Sequence, residues 1–318
     1  INKILLDIIS TQKSLRIINM QKKHQKVQTL LDAIPYIKKF FGKVIVIKYG
    51  GSAQTSPDLK EKFAQDIVFL SLLGIKPVIV HGGGARITEL LTKLEIPSHF
   101  VDGHRVTCEE SMRVVEMVLS GEINKNITSL LTHHGAKAIG ISGKDSAMIN
   151  AIPKDGGKFG YTGEITKVNG SMINNLIKEG FIPVIAPIAD SAEPNHPGFN
   201  INADVAACEI AAAVGAQKVL FLTDTIGVLD KGGNLIQTLD KQSVENYKKD
   251  GTIAGGMIPK VDSCIDAIHN GVNKAHIIDG RVEHSILLEL FTSDGIGTQF
   301  IRKDNPNNGI DMEKLLND

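Results

Sequence analysis

The stretch Val44-Ile45-Val46-Ile47-Lys48-Tyr49-Gly50-Gly51-Ser52 constrains this chain more than any other. Four branched apolar residues follow one another without polar alternation. Such a run reads as a strand buried on both faces of a parallel sheet. In open sheets of that kind, ligands bind beyond the carboxyl ends of the strands. Lys48 stands at that end, and Gly50 and Gly51 let the backbone approach an anion closely. Two readings stay open from this stretch alone: an anion site, or a lysine that closes a strand before an ordinary turn.

A second stretch has the same design. Pro77-Val78-Ile79-Val80-His81-Gly82-Gly83-Gly84 is followed by a helical pattern from Ala85 with Ile87, Leu90, Leu91 and Leu94. A buried strand, a glycine turn and a helix N-terminus together make an anion cradle. A dinucleotide fingerprint is the rival, but the glycines here lack the third member at its required spacing. No glycine-lysine-serine/threonine triplet follows with P-loop spacing either. Phosphate, if handled here, is handled by another architecture.

From Gly42 onward the pattern alternates strand and helix. Strands are expected near 43–49, 76–81, 137–141, 182–187, 217–223 and 274–279. Helices are expected near 58–73, 85–94, 109–119, 122–134, 171–179, 203–214, 240–250, 260–270 and 284–291. Runs near 146–152 and 161–168, with Asp155-Gly156-Gly157 between them, suggest a hairpin at the edge. The class is α/β, a mostly parallel sheet with helices on both faces. The Glu193-Pro194-Asn195-His196-Pro197-Gly198 loop divides the expected lobes, 42–195 and 196–318.

Residues 1–41 differ from the rest, with eight basic residues against two acidic ones. Val27, Leu30, Leu31 and Ile34 fall at helical spacing, and Pro35 is expected to start or kink a second helix. A transit peptide, a packing or oligomerisation helix and a solvated tail compete. The branched apolar residues favour a helical extension that buries a face. The whole chain has zero net charge, which argues against a nucleic-acid partner. Cys108, Cys208 and Cys264 match no metal-ligand spacing and fit a reducing compartment. No apolar run approaches a membrane span, so a soluble intracellular protein is expected.

Further stretches carry chemistry. Asn202 is an expected N-cap, with Asp204 in the first turn of an alanine-rich helix. In Gly255-Gly256-Met257-Ile258-Pro259-Lys260, proline is expected at the first helical position and Lys260 just inside. A cation at a helix N-terminus is disfavoured by the dipole unless it meets an anion gathered there. Asp224 and Gly227 follow a buried strand and so lie at the sheet's ligand edge. Arg105 can clamp a carboxylate bidentately, although a surface arginine looks the same in sequence. No zinc-type histidine pair and no GxSxG elbow is present.

Taken in order, Lys48-Tyr49-Gly50-Gly51, Val80 through Gly84, Gly103 with Arg105-Val106-Thr107, Asn200 through Asp204, and Gly256-Met257-Ile258 with Lys260 resemble the amino-acid kinase family. The Arg105 and Asn200 stretches resemble its branch acting on N-acetyl-L-glutamate. The resemblance implies an αβα sandwich with an N-terminal helical extension, an acyl-amino-acid lobe and an ATP lobe. It implies phosphoryl transfer to the γ-carboxylate, with Mg2+ carried by ATP and no protein-bound metal. Lys48 and Lys260 would neutralise the moving phosphoryl group, and Asp204 would orient both. Backbone N–H groups near Gly51, Gly83 and Gly84 would hold phosphoryl and carboxylate, while Arg105 and Asn200 would bind the α-carboxylate and acyl end. Gly50, Asp224, Gly227 and Gly256 would belong to the phosphate and nucleotide site. His276, Glu289 and Gly295 resemble the L-arginine site of feedback-inhibited, homohexameric members. Some relatives also bind a PII-type signalling protein, and the implied compartment is a bacterial cytoplasm or plastid stroma. His104, and Ser146-Ala147 in place of a glycine pair, depart from the pattern. Another amino-acid or carbamate kinase, or a non-catalytic sensor, are the competing functions.

Overall fold

The computed structural model describes residues 2–302 apart from Thr55 and Asp102, with backbone alone over residues 2–19 and at Ser52 and Ala53. Helix α1 (Asn2–Phe40) belongs to one compact unit, and the described residues from Gly42 onward belong to the other. The second unit begins β1 (Val44–Tyr49), α2 (Pro57–Leu72), β2 (Lys76–His81), α3 (Gly84–Lys93). A hairpin of β3 (His99–Val101) and β4 (His104–Val106) follows, then α4 (Glu109–Glu116), a π-helical segment over Met117–Ile123, α5 (Asn124–His133) and β5 (Ala138–Ser142). Next come the hairpin β6 (Ile149–Pro153) and β7 (Gly163–Val168), α6 (Gly170–Lys178), β8 (Ile182–Ala186), β9 (Ile188–Ala189) and β10 (Phe199–Asn200). The chain continues through α7 (Ala203–Ala213), β11 (Lys218–Thr223), β12 (Thr238–Leu239), α8 (Lys241–Lys249) and α9 (Met257–His269). It reaches β13 (Lys274–Asp279), α10 (Ser285–Phe291) and β14 (Thr298–Phe300).

Eight strands make one sheet in the order β12-β14-β13-β11-β1-β2-β8-β5. The six expected strands pair in parallel, and only the β13–β14 pairing is antiparallel. Their continuous apolar runs are explained by burial on both faces, where Val46, Val78, Val219 and Ile277 share a core with residues of α7 and α9. Ile87, Leu91, Met112, Val115 and Leu119 form a second cluster between α3, α4 and the π-helical segment. Because β1 lies between β2 and β11, its carboxyl end faces the crevice where chain connections leave to opposite sides. Lys48 stands there.

The nine helical patterns and the 149–168 hairpin form as expected. Strands β12 and β14, at one end of the sheet, carry no sequence signal because they are two and three residues long. Two expectations need correction. Residues 2–40 form one helix carried through Pro35, not two, since proline forfeits a single backbone donor near the helix end. Helix α9 begins at Met257, so Pro259 is its third residue and not its first. First-turn N–H groups have no intrahelical partner, so a proline there loses nothing. Among the described residues no helix is long and apolar enough to cross a membrane.

Candidate active site

Lys48 is buried at the end of β1, and its Nζ lies 2.9 Å from Asp204 Oδ1. Its side chain folds back over Gly50, where a Cβ would come within 3.0 Å of Nζ. Asp204 is placed by its helix. Asn202 caps α7, its Oδ1 accepting from the N–H of Asp204 at 2.8 Å and of Val205 at 3.3 Å. Such a cap contributes about 1 kcal/mol to helix stability. It also aims the first-turn carboxylate at the lysine.

Opposite this pair, β2 delivers Gly82, Gly83 and Gly84 and the N-terminus of α3. Gly83 stands at the N-cap, so no capping side chain covers the first-turn N–H groups. Those groups, the lysine and Asp204 line one cavity of about 430 Å³. Its far wall comes from the β3–β4 hairpin and from β10. Arg105 is buried there, donating to Thr88 Oγ1 at 2.9 Å, to the Gly84 carbonyl at 3.1 Å and to Ser98. Its guanidinium stacks 4.6 Å above the Phe100 ring. Burial lowers its pKa, and among the described residues no carboxylate pairs with it. A buried cation without an acidic partner, facing a cavity, is electrostatically suited to an anionic ligand. Asn200 is tied into the same wall by its Nδ2, which donates to Thr107 Oγ1 at 3.3 Å. Gly51, at φ +63°, lines the cavity beside Lys48.

The remaining expected residues lie elsewhere. Asp224 is exposed just past β11, and Gly227 (φ +141°) packs where a Cβ would meet Thr298 Oγ1 at 2.6 Å. Gly256 is the N-cap of α9, with Lys260 in the following turn. Asp204 pairs with Lys48, and no ion pair joins it to Lys260 among the described residues. Burial pushes the Cys264 thiol well up, Cys208 and Asp204 raise it further, and Lys260 opposes. His276, Glu289 and Gly295 do come together. His276 Nδ1 is 2.6 Å from Glu289 Oε1, and Oε2 accepts from the N–H of Ile296 at 2.8 Å and of Gly297 at 3.2 Å. A Cβ at Gly295 would lie 2.7 Å from that carboxylate. Glu289 is thus occupied by internal donors. Burial opposes its ionisation, yet the His276 bond and the backbone donors hold its pKa below the usual range.

Sequence reasoning named Thr107 only within the Arg105-Val106-Thr107 stretch and missed Thr162, Arg86 and Glu122. Thr107 and Thr162 share a hydroxyl contact of 2.9 Å beneath Arg105 and Asn200. Arg86 Nε donates to Glu122 at 2.8 Å at the cavity edge. Neither pair has a local signal, because partners 55 and 36 residues apart meet only through the fold. His104, the departure noted above, lines the cavity and packs edge-on against Phe159.

The amino acid kinase family profile matches residues 43–279. An acetylglutamate kinase of Aliarcobacter butzleri is 85% identical over 298 residues, covering 94% of this chain and 99% of the relative. Among solved structures, N-acetylglutamate synthase from Neisseria gonorrhoeae, complexed with coenzyme A and N-acetyl-glutamate, superposes with a TM-score of 0.79 at 27% identity. The match covers 88% of this chain and 64% of the synthase, so the chain spans under two thirds of that protein's length. The same synthase complexed with coenzyme A and L-arginine gives a TM-score of 0.73 at 26% identity, over 87% of this chain and 65% of that one.

Proposed function

The chain belongs to the amino acid kinase family, and we propose that it transfers the γ-phosphoryl group of ATP to the side-chain carboxylate of N-acetyl-L-glutamate. The carrying observation is the cavity in which the Lys48–Asp204 pair faces the uncapped start of α3, with the Arg105 guanidinium, which has no carboxylate partner among the described residues, on the remaining wall. The kinase from Aliarcobacter butzleri supports the substrate assignment through its 85% identity.

The chemistry follows from charge. The acceptor carboxylate is ionised at neutral pH and needs no general base. Its oxygen forms the new bond to phosphorus as the bond to the ADP oxygen breaks, giving an acyl phosphate. Catalysis is therefore positioning plus stabilisation of negative charge. Lys48 sits beside the moving phosphoryl group, and Asp204 keeps its ammonium aimed there. The N–H groups at Gly83 and Gly84 receive phosphoryl and carboxylate oxygens. Arg105 takes the α-carboxylate and Asn200 the acyl amide. Asp224, Gly227 and Gly256 line the nucleotide, and Lys260 reaches the phosphates from α9. Mg2+ bound with ATP would neutralise part of the phosphate charge.

Regulation by L-arginine extends the proposal. The synthase complexed with L-arginine supports it, as does the buried His276–Glu289–Gly295 cluster. A guanidinium entering there must displace His276 from Glu289. Glu289→Ala should leave the uninhibited rate within about threefold and abolish inhibition by millimolar arginine; inhibition that persists removes Glu289 from that role. Self-association through α1, as a homohexamer in a bacterial cytoplasm, completes the reading. The exposed Val27, Leu30, Leu31 and Ile34 on that helix support it.

The deciding assay is ADP release with MgATP and N-acetyl-L-glutamate, run beside glutamate, aspartate and carbamate. Turnover confined to the acylated substrate is the expected result. Turnover with a free amino acid or carbamate reassigns the substrate, and MgATP binding without turnover makes the protein a sensor.

A further inference from the structure

Behind the glycine turn lies a buried polar network that the proposed mechanism does not use. His81 is fully buried, with its Nδ1 3.1 Å from the carbonyl oxygen of Gly82. A carbonyl only accepts, so Nδ1 carries the hydrogen and Nε2 is left as an acceptor. Nε2 is met by Asn124 Nδ2 at 3.2 Å. Asn124 is also fully buried, and the same amide reaches the carbonyls of Val184 at 2.8 Å and Ile141 at 3.2 Å. The network therefore ties the turn after β2 to strands β8 and β5. Its opposite end is anchored too, since Asn124 Oδ1 accepts from Lys125 Nζ, which also donates to the Gly140 carbonyl at 2.7 Å.

The Gly82 carbonyl and the Gly83 N–H belong to one planar trans peptide and point in opposite directions. Whatever fixes the first aims the second. Gln54 Nε2 approaches the same carbonyl at 3.5 Å, and the Gly82 N–H is bonded to the Tyr49 carbonyl at 2.8 Å. Asn124 owes its place to the π-helical segment before it, where its N–H reaches the Leu119 carbonyl five residues back. Leu119 and Ile123 from that segment press on Gly83, leaving no space for a Cβ.

We propose that His81 and Asn124 are positioning residues that lock the Gly82–Gly83 peptide plane, so that the Gly83 N–H is aimed at the anion in the cavity. The proposal rests on the phosphoryl-transfer reading for its catalytic consequence, and not for its structural one. Burial, with Lys125 nearby, lowers His81 to about 4, so the ring stays neutral and keeps this donor–acceptor arrangement at working pH.

The full-length protein is tested with His81→Phe, Asn124→Leu, the double variant and His81→Gln. In hydrogen exchange by mass spectrometry, the first two should exchange segment 80–86 about tenfold faster while β11 stays protected. In the kinase assay their kcat should fall at least tenfold, with KM for MgATP and N-acetyl-L-glutamate within about threefold of wild type. His81→Gln offers an amide donor and an amide acceptor and should recover at least a third of kcat. The double variant should lose little more than the worse single one, as members of one network do. Unchanged exchange, or kcat within twofold of wild type in folded His81→Phe, overturns the proposal. If Asn124→Leu does not fold, His81→Phe decides. If wild type shows no turnover, the phosphoryl-transfer reading falls, and the exchange result alone decides the positioning role.

Discussion

Lys48 reaches Asp204 across the space that Gly50 leaves open, and the two charges share a site where little water competes. In the proposed transfer a lysine so placed acts on developing charge, so its loss should appear in kcat. Lys48→Ala is expected to lower kcat by about 10²–10³-fold, the scale for removing one donor to a developing charge. A KM change of more than tenfold with kcat retained would mean that Lys48 only binds. Arg105 makes the complementary case. Its flat fork spans Ser98, Thr88 and the Gly84 carbonyl, a geometry that an ammonium cannot reproduce. Arg105→Lys should therefore raise KM for the acyl amino acid at least tenfold while moving kcat less. His81 supplies a prediction about pH. Its folded pKa is about 4 against an ordinary value of 6.5, so between those values the unfolded chain binds more protons. Stability from this ring is complete above pH 6.5 and is lost as pH falls towards 4. Going from pH 7 to 5 should cost about 2 kcal/mol through His81. Thermal unfolding of His81→Phe should show that much less acid sensitivity. His276, also near 4 through burial, acts in the same direction, whereas buried Asp66, raised to about 6, opposes both by gaining its proton in the fold.

Elements decide how these side chains meet. The glycine that starts helix α3 leaves the first turn uncapped and lets the cap pass beneath Leu119 and Ile123. A Cβ on Gly83 would stand 2.5 Å from Ile123 Cδ1 and 2.6 Å from Leu119 Cδ2, whereas one on Gly84 meets nothing within 4 Å. Gly83→Ala should destabilise the fold by about 1–3 kcal/mol through overpacking. Gly84→Ala should leave the melting temperature unchanged or slightly higher, and equal losses in both would refute this account. The hairpin shows a different kind of constraint. Ser146 and Ala147, standing where the family pattern favours glycine, both adopt positive φ (54° and 46°). The departure was readable in the sequence, but the left-handed backbone that gives it a cost was not.

Across the whole molecule, the parallel sheet brings the carboxyl ends of β1 and β2 together and α7 to the same edge, so residues 156 positions apart in sequence form one ion pair. The exposed apolar residues of α1 belong to this scale, because a helix face left in water favours self-association. Removing residues 1–41 should reduce the assembly measured by light scattering, and an unchanged mass would leave α1 without that role. The sequence alone specifies the buried strands, the glycine turns, the Asn202 cap and the placing of Lys48, because each is written in neighbouring residues through hydrophobic period, backbone freedom or local hydrogen bonding. It set the helix starts less well, as Pro259 shows, since a first-turn proline is equally tolerated at several positions. The pairing of Asp204 with Lys48, the filling of Glu289 by His276 and two amides, and the contact of Asn124 with His81 arise in the folded chain alone. Those are bonds between groups far apart in the chain. Their strength comes from burial, which no local pattern specifies until the sheet has closed around them.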